Sequence, residues 1–216
     1  MKIAMIGTGY VGLVSGACFS DFGHDVICVD KDASKIDALH AGKMPIYEPG
    51  LDALVATNVA AGRLNFTTEL ASALDGVDAV FIAVGTPSRR GDGHADLSYV
   101  YAVAEELAAS LDHECVIVTK STVPVGTGDE VERLLAEHGH GLSHSVASNP
   151  EFLREGAAIG DFKRPDRIII GVEDERAEQV LREIYRPLFL NEAPVLATRR
   201  RTAEMIKYAA NAFLAT

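Results

Sequence analysis

A glycine pattern near the N-terminus constrains the fold more strongly than any other part of this sequence. Residues 2–6 form a short apolar run typical of a buried β-strand, and Gly7, Gly9 and Gly12 follow it as G-x-G-x-x-G. Between a strand and a helix, the first glycine permits a tight turn, the second lets the backbone approach a pyrophosphate, and the third lets the helix pack closely on the strand. The helix N-terminus then offers free N–H groups to phosphates. The pattern predicts a dinucleotide-binding turn; the alternative is a glycine-rich turn of structural use alone.

Short apolar runs alternate with amphipathic segments along the chain, which predicts parallel strands joined by helices. Predicted strands cover residues 2–6, 25–30, 64–67, 79–84, 115–120, 143–147, 167–171 and 194–197. Predicted helices cover residues 11–22, 34–41, 51–61, 97–111, 126–138 and 175–188, with Ser34 as an N-cap. The expected fold is therefore α/β, a doubly wound and mostly parallel Rossmann-like sheet.

The last predicted helix begins near Thr202 and runs to the last residue, with no glycine or proline to end it. Such an unfinished helix favours a chain that is truncated relative to the native protein. We therefore expect residues 1–198 to form the dinucleotide-binding domain and residues 199–216 to begin a long C-terminal helix.

Polar side chains at the predicted strand ends indicate which dinucleotide binds. Asp30 ends the second strand, where a carboxylate accepts hydrogen bonds from a ribose diol and repels a 2′-phosphate, so NAD is favoured over NADP. Lys35 either reaches the adenosine ribose or is a solvated helix charge. Thr86 and Thr122 follow the fourth and fifth strands, where they contact ribose or nicotinamide or serve as caps and turn residues.

A second polar constellation lies in the C-terminal third of the chain. Asn149 followed by Pro150 is typical of a helix start, with Asn149 as N-cap. In such a helix Glu151 and Glu155 face one side, and they form either part of a site or a capped surface helix. In the last helix, Lys207 is likewise four residues before Asn211 in an apolar surround, so this pair is either a solvent face or the lining of a polar site.

Charge and cysteine content exclude several classes of partner and site. The formal net charge is −11, which argues against nucleic acid and against an anionic membrane surface as the main partner. The three cysteines (Cys18, Cys28 and Cys115) have spacings that predict neither a disulfide framework nor a metal site, and their apolar surroundings indicate buried, reduced thiols. With neither a signal peptide nor an apolar membrane span, the sequence predicts a cytoplasmic protein.

Eight motifs follow one another along the whole chain. They are GTGYVGLV at 7–14, PIYEPGL at 45–51, VGTP at 84–87, ADLSYV at 95–100, KSTVPVGT at 120–127, NPEFLREG at 149–156, PDRIIIG at 165–171 and AEMIKYAANAFLA at 203–215. In type and order they resemble the motifs of one family, the UDP-glucose and GDP-mannose dehydrogenases, and the stretch 84–100 is most similar to the UDP-glucose branch. In this family the C6 alcohol of a nucleotide sugar is oxidised twice, to the acid, with two NAD.

The resemblance implies roles for individual residues. NAD contacts are implied for Gly7, Gly9, Tyr10, Val11, Gly12, Asp30, Lys35, Thr86, Thr122 and Glu155. Four residues are implied to surround the reacting C6 and an activated water: Thr122, Glu151, Lys207 and Asn211. Contact with the sugar nucleotide is implied for Glu151, Phe152, Leu153, Glu155, Lys207 and Asn211. The chemistry agrees, because a cation and an amide donor stabilise charge on oxygen, and a carboxylate with a hydroxyl positions or deprotonates water.

The family also uses a cysteine nucleophile well downstream of the central helix, in a glycine-rich setting that none of the three cysteines here occupies. The resemblance implies a homodimer formed through the central helix in the full-length protein, and an inactive fragment without the second half. Open alternatives are a GDP-mannose or UDP-N-acetylmannosamine dehydrogenase, and a non-catalytic NAD-binding module.

Overall fold

The computed structural model describes residues 1–91, 93–191 and 193–215, and these residues form an eight-stranded sheet covered by helices. The strands are β1 (Lys2–Ile6), β2 (Asp25–Val29), β3 (Leu64–Thr67), β4 (Ala79–Ile82), β5 (Val116–Thr119), β6 (Ser145–Ser148), β7 (Ile168–Gly171) and β8 (Val195–Thr198). The α-helices are α1 (Tyr10–Asp21), α2 (Ala33–His40), α3 (Leu51–Ala60), α4 (Leu70–Ala73), α5 (Ser98–Ser110), α6 (Thr127–His138), α7 (Ala158–Lys163), α8 (Glu175–Ile184) and α9 (Arg200–Leu214).

The strand order in the sheet is β3-β2-β1-β4-β5-β6-β7-β8. Neighbouring strands run parallel except β6 and β7, which pair antiparallel through Ser148 and Gly171. Strands β4 to β7 are buried at every position, as expected for a sheet with helices on both faces. The predicted doubly wound, mostly parallel fold is confirmed.

Two apolar cores lie on opposite faces of the sheet. Helices α1, α2, α3, α7 and α8 enclose one core, and α4, α5 and α6 enclose the other. Helix α1 is buried from Gly12 to Ser20 because the sheet lies on one side and α3 and α7 on the other. Its small residues permit this, since a Cβ at Gly16 would lie 2.6 Å from Cys28 Sγ.

The topology creates a crevice at the carboxyl ends of β1 and β4. The chain leaves β1 towards α1 on one face and, after β4, continues to α5 on the other, so the two connections diverge. In open α/β sheets ligands bind at this switch point. The glycine turn that succeeds β1 lies there.

Helix α9 packs across β6 and β7 and against the N-terminus of α6. A Cβ at Gly171 would lie 2.5 Å from Ala203 Cβ, so strand and helix approach closely. The Arg200 guanidinium lies over Gly128 and is hydrogen-bonded to Asp129 and Glu132. Within the described ranges, no helix has the length and apolar character needed to cross a bilayer.

Four local predictions are wrong. Residues 149–154 form neither a helix nor a strand, and the next helix, α7, begins only at Ala158. Asn149 is not an N-cap, because its amide hydrogen-bonds to residues of other elements. Asp32 rather than Ser34 caps α2, accepting a hydrogen bond from the Ser34 N–H. Helix α8 ends at Ile184 and is succeeded by a 3₁₀ turn instead of continuing to residue 188.

Candidate active site

The glycine turn has the backbone geometry that its sequence predicts. Gly7 has φ +105°, a conformation that L side chains rarely adopt. A Cβ at Gly12 would lie 2.0 Å from Gly7 O, so only glycine lets α1 approach the turn. A Cβ at Gly9 would meet nothing within 4 Å. Gly9 is therefore not needed for packing, and the open space beside it fits a ligand that approaches the backbone.

A cleft of about 850 Å³ lies beside this turn. The ends of β1, β2 and β4 and one side of α5 form its walls. Its lining includes Gly7, Gly9, Val29, Asp30, Lys35, Ala83, Val84, Thr86, Tyr99 and Val103. An ion pair between Lys31 and Glu106 joins the end of β2 to α5 at this cleft. Its size, its apolar walls and the Asp30 carboxylate fit an adenine dinucleotide.

Asp30 is held at the end of β2 by four donors. One carboxylate oxygen accepts from the Thr8 N–H at 2.9 Å, the Thr8 hydroxyl at 2.7 Å and Lys35 Nζ at 3.3 Å. The other accepts from the Asp32 N–H at 3.0 Å and has a lone pair to spare. Burial alone would raise the pKa of Asp30, but these hydrogen bonds and the Lys35 charge lower it below its ordinary value. The side chain is therefore a fixed anion in the cleft.

Thr86 and Thr122 meet at adjacent strand ends. The Thr86 hydroxyl donates to the Thr122 carbonyl at 2.9 Å, which joins the segments after β4 and β5. Thr86 lines the cleft, whereas Thr122 lies beyond its described lining. Tyr10, Val11 and Gly12 form the first turn of α1, so they offer backbone N–H groups to a phosphate.

A second pocket, of about 600 Å³, lies between the segment after β6 and α9. Its lining includes Lys120, Asn149, Glu151, Phe152, Leu153, Arg167, Tyr185 and Phe213. Since β5 and β6 are parallel to β1 and β4, this pocket is at the same carboxyl edge of the sheet as the cleft. One sheet edge therefore carries both cavities.

The buried Lys207 forms an ion pair with the partly buried Glu151 beside the second pocket. Lys207 Nζ lies 3.2 Å from Glu151 Oε1, and Lys207 is only 7% exposed. The Phe152 ring is close to two cations, with Lys207 Nζ 5.2 Å and the Arg167 guanidinium 5.0 Å from its centroid. Lys207 is thus part of a polar site and not a solvent face.

Glu204 fixes the position of α9, and with it Lys207. Its buried carboxylate accepts hydrogen bonds from the N–H groups of Gly126 (2.7 Å) and Gly128 (2.8 Å), at the start of α6. Burial raises the pKa of Glu204, while these two N–H groups act in the opposite direction. The sequence carries a signal for this role, because Glu204 lies three residues before Lys207 and so shares its helix face.

Asn211 and Glu155 are less enclosed than the resemblance implies. Asn211 lies one turn beyond Lys207 with an exposed side chain, and Glu155 is exposed in the turn 155–157. Neither contributes to the described linings of the two cavities. The side chain of Glu151 also accepts from the Leu153 N–H, a contact within the segment after β6.

Glu48 is a buried residue whose importance sequence reasoning missed. The Tyr10 hydroxyl donates to its carboxylate, which also accepts from the N–H groups of Gly156 (2.8 Å) and Ile159 (3.3 Å). Burial and the Glu48 carboxylate raise the pKa of Tyr10 to about 12, so its hydroxyl remains a donor. Glu48 thereby ties the turn after β1 to the segment that carries Glu151. The motif PIYEPGL was the available signal.

The three cysteines are free and buried. Burial raises the pKa of each thiol, Cys18, Cys28 and Cys115, to about 12. The prediction of buried, reduced thiols is confirmed, and none of the three has the environment of a reactive thiolate.

Comparison with known proteins identifies the family. Residues 1–189 match the sequence model of the UDP-glucose/GDP-mannose dehydrogenase family, NAD binding domain. The chain belongs to this family. Its cofactor cleft is accordingly an NAD site, which agrees with the fixed Asp30 carboxylate and the open face of Gly9.

Three relatives show how far the similarity extends. The chain is 69% identical to the UDP-glucose 6-dehydrogenase of Rhizobium meliloti (strain 1021), over the whole chain and 50% of that protein. A structure of GDP-mannose dehydrogenase from Pseudomonas aeruginosa has a TM-score of 0.94 at 40% identity and matches the whole chain and 50% of its own length. A UDP-glucose dehydrogenase from Pyrobaculum islandicum also has a TM-score of 0.94, at 45% identity, over 99% of this chain and 49% of its own. The chain spans about half the length of the relatives it matches.

Proposed function

We propose that the protein containing this chain oxidises the C6 alcohol of UDP-glucose to the acid, UDP-glucuronate, with two NAD. The observation that carries the proposal is the ion pair between the buried Lys207 and the partly buried Glu151, which lies at the same sheet edge as the NAD cleft. Such a pair places a positive charge and a hydrogen-bond donor where negative charge develops on the alcohol oxygen, as the hydroxyl loses its proton and before hydride leaves the carbon. The name of the 69% identical relative supports UDP-glucose as the substrate.

We assign the proposed roles to individual side chains. Lys207 and Asn211 donate to the oxygen at C6, Glu151 holds Lys207 in place, and Thr122 and Glu151 position water. Phe152, Leu153 and Glu155, in the segment after β6, contact the sugar nucleotide. Bound NAD supplies the hydride acceptor.

The proposed NAD contacts depend on the turn and the cleft. The backbone of Gly7, Gly9, Tyr10, Val11 and Gly12 holds the pyrophosphate at the start of α1. Asp30 and Lys35 hold the adenosine ribose, because both line the cleft at the end of β2. Thr86 and Thr122 contact ribose or nicotinamide in this proposal, and Glu155 is a further NAD contact.

The remaining steps require groups that we place outside this chain. Because its relatives are about twice as long, we infer that residues 1–198 are the NAD-binding domain and that residues 199–216 begin a helix leading to a second half. That half supplies the thiol for the second oxidation and completes the sugar-nucleotide pocket. We infer that the full-length protein is a cytoplasmic homodimer whose substrate is the nucleotide sugar. We also infer that neither nucleic acid nor a membrane is its partner, in keeping with the net charge of −11.

A GDP-mannose substrate is the second candidate. The GDP-mannose and UDP-glucose dehydrogenase structures match this chain with equal TM-scores of 0.94, so the fold does not distinguish the two substrates. The higher sequence identity, 45% against 40%, lies with the UDP-glucose enzyme.

The test is NADH formation by the full-length protein with UDP-glucose, GDP-mannose and UDP-N-acetylmannosamine in parallel. We expect two NADH for each UDP-glucose consumed, and little with the other two. The isolated 216-residue chain should bind NAD but form no sugar acid. A preference for GDP-mannose would refute the substrate assignment. Binding of NAD without turnover of any sugar nucleotide would instead favour a non-catalytic NAD-binding module.

A further inference from the structure

Lys120 is a buried cation whose role neither the motif nor the proposed reaction explains. It directly succeeds β5, is only 3% exposed, and lines the pocket that contains Glu151. Across residues 1–91, 93–191 and 193–215, no carboxylate lies within ion-pair distance of its ammonium, whereas Lys207 has Glu151. Burying an ammonium without a carboxylate costs stability, so the fold does not gain from this charge.

The hydrogen bonds of Lys120 also do not require a lysine. Its Nζ donates to Asn149 Oδ1 at 3.0 Å and to the Tyr185 hydroxyl at 3.3 Å. Asn149 Oδ1 already accepts from the Tyr185 hydroxyl at 2.6 Å, and the Asn149 amide donates to Ile169 O at 2.8 Å. Removing the ammonium therefore leaves Asn149 satisfied and Tyr185 with a partner.

One N–H of the ammonium remains for a ligand. An ammonium has three donors, and the two contacts above use two of them. The face of the Phe162 ring, 5.6 Å from Nζ, contributes a weak cation–π contact and no hydrogen-bond acceptor for the third. The charge is surrounded by Glu151 from the segment after β6, Lys207 from α9, Cys18 from α1 and Tyr185 from the end of α8.

We propose that Lys120 is a further substrate-binding residue, whose third N–H donates to an oxygen of the sugar nucleotide in the Glu151 pocket. This inference rests on the proposed function. It assigns the buried charge a partner that the folded chain itself does not provide.

The protonation of Lys120 gives the assignment a pH signature. Burial lowers the pKa of Lys120 to about 8, an effect that the Glu151 charge opposes and the Lys207 charge reinforces. Below this pH the ammonium has its third N–H, and above it the neutral amine retains only two. Substrate binding that needs the third donor is therefore present at lower pH and lost as the pH rises through about 8.

The experiment compares Lys120→Met, Lys120→Arg and the surface control Lys43→Met in the full-length protein. We expect Lys120→Met to lower kcat/KM for UDP-glucose at least about tenfold, to leave KM for NAD within about twofold, and to keep or raise Tm. Lys120→Arg should retain most activity and lose the decline near pH 8, because arginine stays charged. Lys43→Met, which removes an exposed charge, should match the parent protein.

The possible failures are distinguishable. Normal kcat/KM in Lys120→Met, with an active parent protein, would overturn the role of Lys120 alone. A fall in Tm that accompanies the activity loss, without recovery in Lys120→Arg, would assign the lysine to folding and overturn the proposal as well. Absence of NADH with every sugar nucleotide in the parent protein would overturn the proposed function together with this inference.

Discussion

Asp30 should make the chain select NAD over NADP, and Asp30→Asn should remove most of that selection. The carboxylate lies at the end of β2 in the NAD cleft, where its oxygens are fixed by Thr8, Asp32 and Lys35. The ribose of a bound dinucleotide lies within hydrogen-bond reach of such a carboxylate. The 2′-phosphate of NADP is attached to that ribose, so it is brought close to a negative charge that cannot turn away.

The size of the effect depends on charge and distance. Two unit charges about 4 Å apart repel by about 4 kcal/mol at the effective dielectric constant of a protein surface. The Asp30 side chain is 13% exposed, and the Lys35 ammonium 3.3 Å away offsets part of the repulsion. A remaining discrimination of about 2–3 kcal/mol corresponds to roughly a 30- to 150-fold preference for NAD. In Asp30→Asn the preference should fall below about tenfold, because the repulsion disappears while an acceptor remains for Thr8.

Calorimetric titration of the 216-residue chain with NAD and NADP measures this ratio. Asp32→Asn is the matched control, since it removes one negative charge from the same cleft lining but keeps a side chain able to cap α2. Its ratio should stay close to that of the parent chain. Equal affinities in the parent chain, or the same change in both variants, would refute the argument that Asp30 acts through its position at the ribose.

Three further perturbations test other parts of the site. Glu48→Ala should lower the Tm of the chain by about 5–10 °C, since it removes the acceptor of the partly buried Tyr10 hydroxyl and of two N–H groups, and an unchanged melting curve would contradict this. Gly9→Ala should leave Tm unchanged but weaken NAD binding at least about tenfold. Gly12→Ala should instead lower Tm, because its Cβ would lie 2.0 Å from a carbonyl oxygen. Equal effects of the two substitutions on Tm would argue against a ligand beside Gly9. In the full-length protein, Lys207→Ala should reduce kcat on the order of a hundredfold with a smaller effect on KM, and near-normal kcat would show that Lys207 does not stabilise charge at C6.

The sheet and the cofactor turn could be predicted because their signals are local. Buried parallel strands appear as short apolar runs, and the three glycines of the turn come directly after the first of them at fixed spacing. The sequence alone did not decide whether Lys207 forms an ion pair, because a lysine on an apolar helix gives the same sequence pattern whether it is solvated or paired. Its partner, Glu151, is 56 residues away in the chain.

The segment 149–157 could not be predicted, because distant contacts decide its conformation. Asn149 and Pro150 provide a helix-start signal, but the Asn149 amide is engaged by Ile169 and Lys120 instead of capping the next turn. The same limit applies to Glu48, whose acceptor role depends on Gly156, 108 residues away. Tertiary hydrogen bonds outweigh a local capping preference of about 1 kcal/mol.

The anchoring of α9 has a consequence for insertions and deletions. Arg200, Glu204 and Lys207 recur every three or four residues, so two anchors and the ion-paired lysine occupy one face of the helix. Each residue added to an α-helix turns the remainder of that helix by about 100° and shifts it by about 1.5 Å. One residue inserted between Glu204 and Lys207 would keep the anchors bound to α6 but rotate the ammonium away from Glu151. Homologous proteins can therefore vary the side chains of this helix far more readily than the number of residues between Glu204 and Lys207.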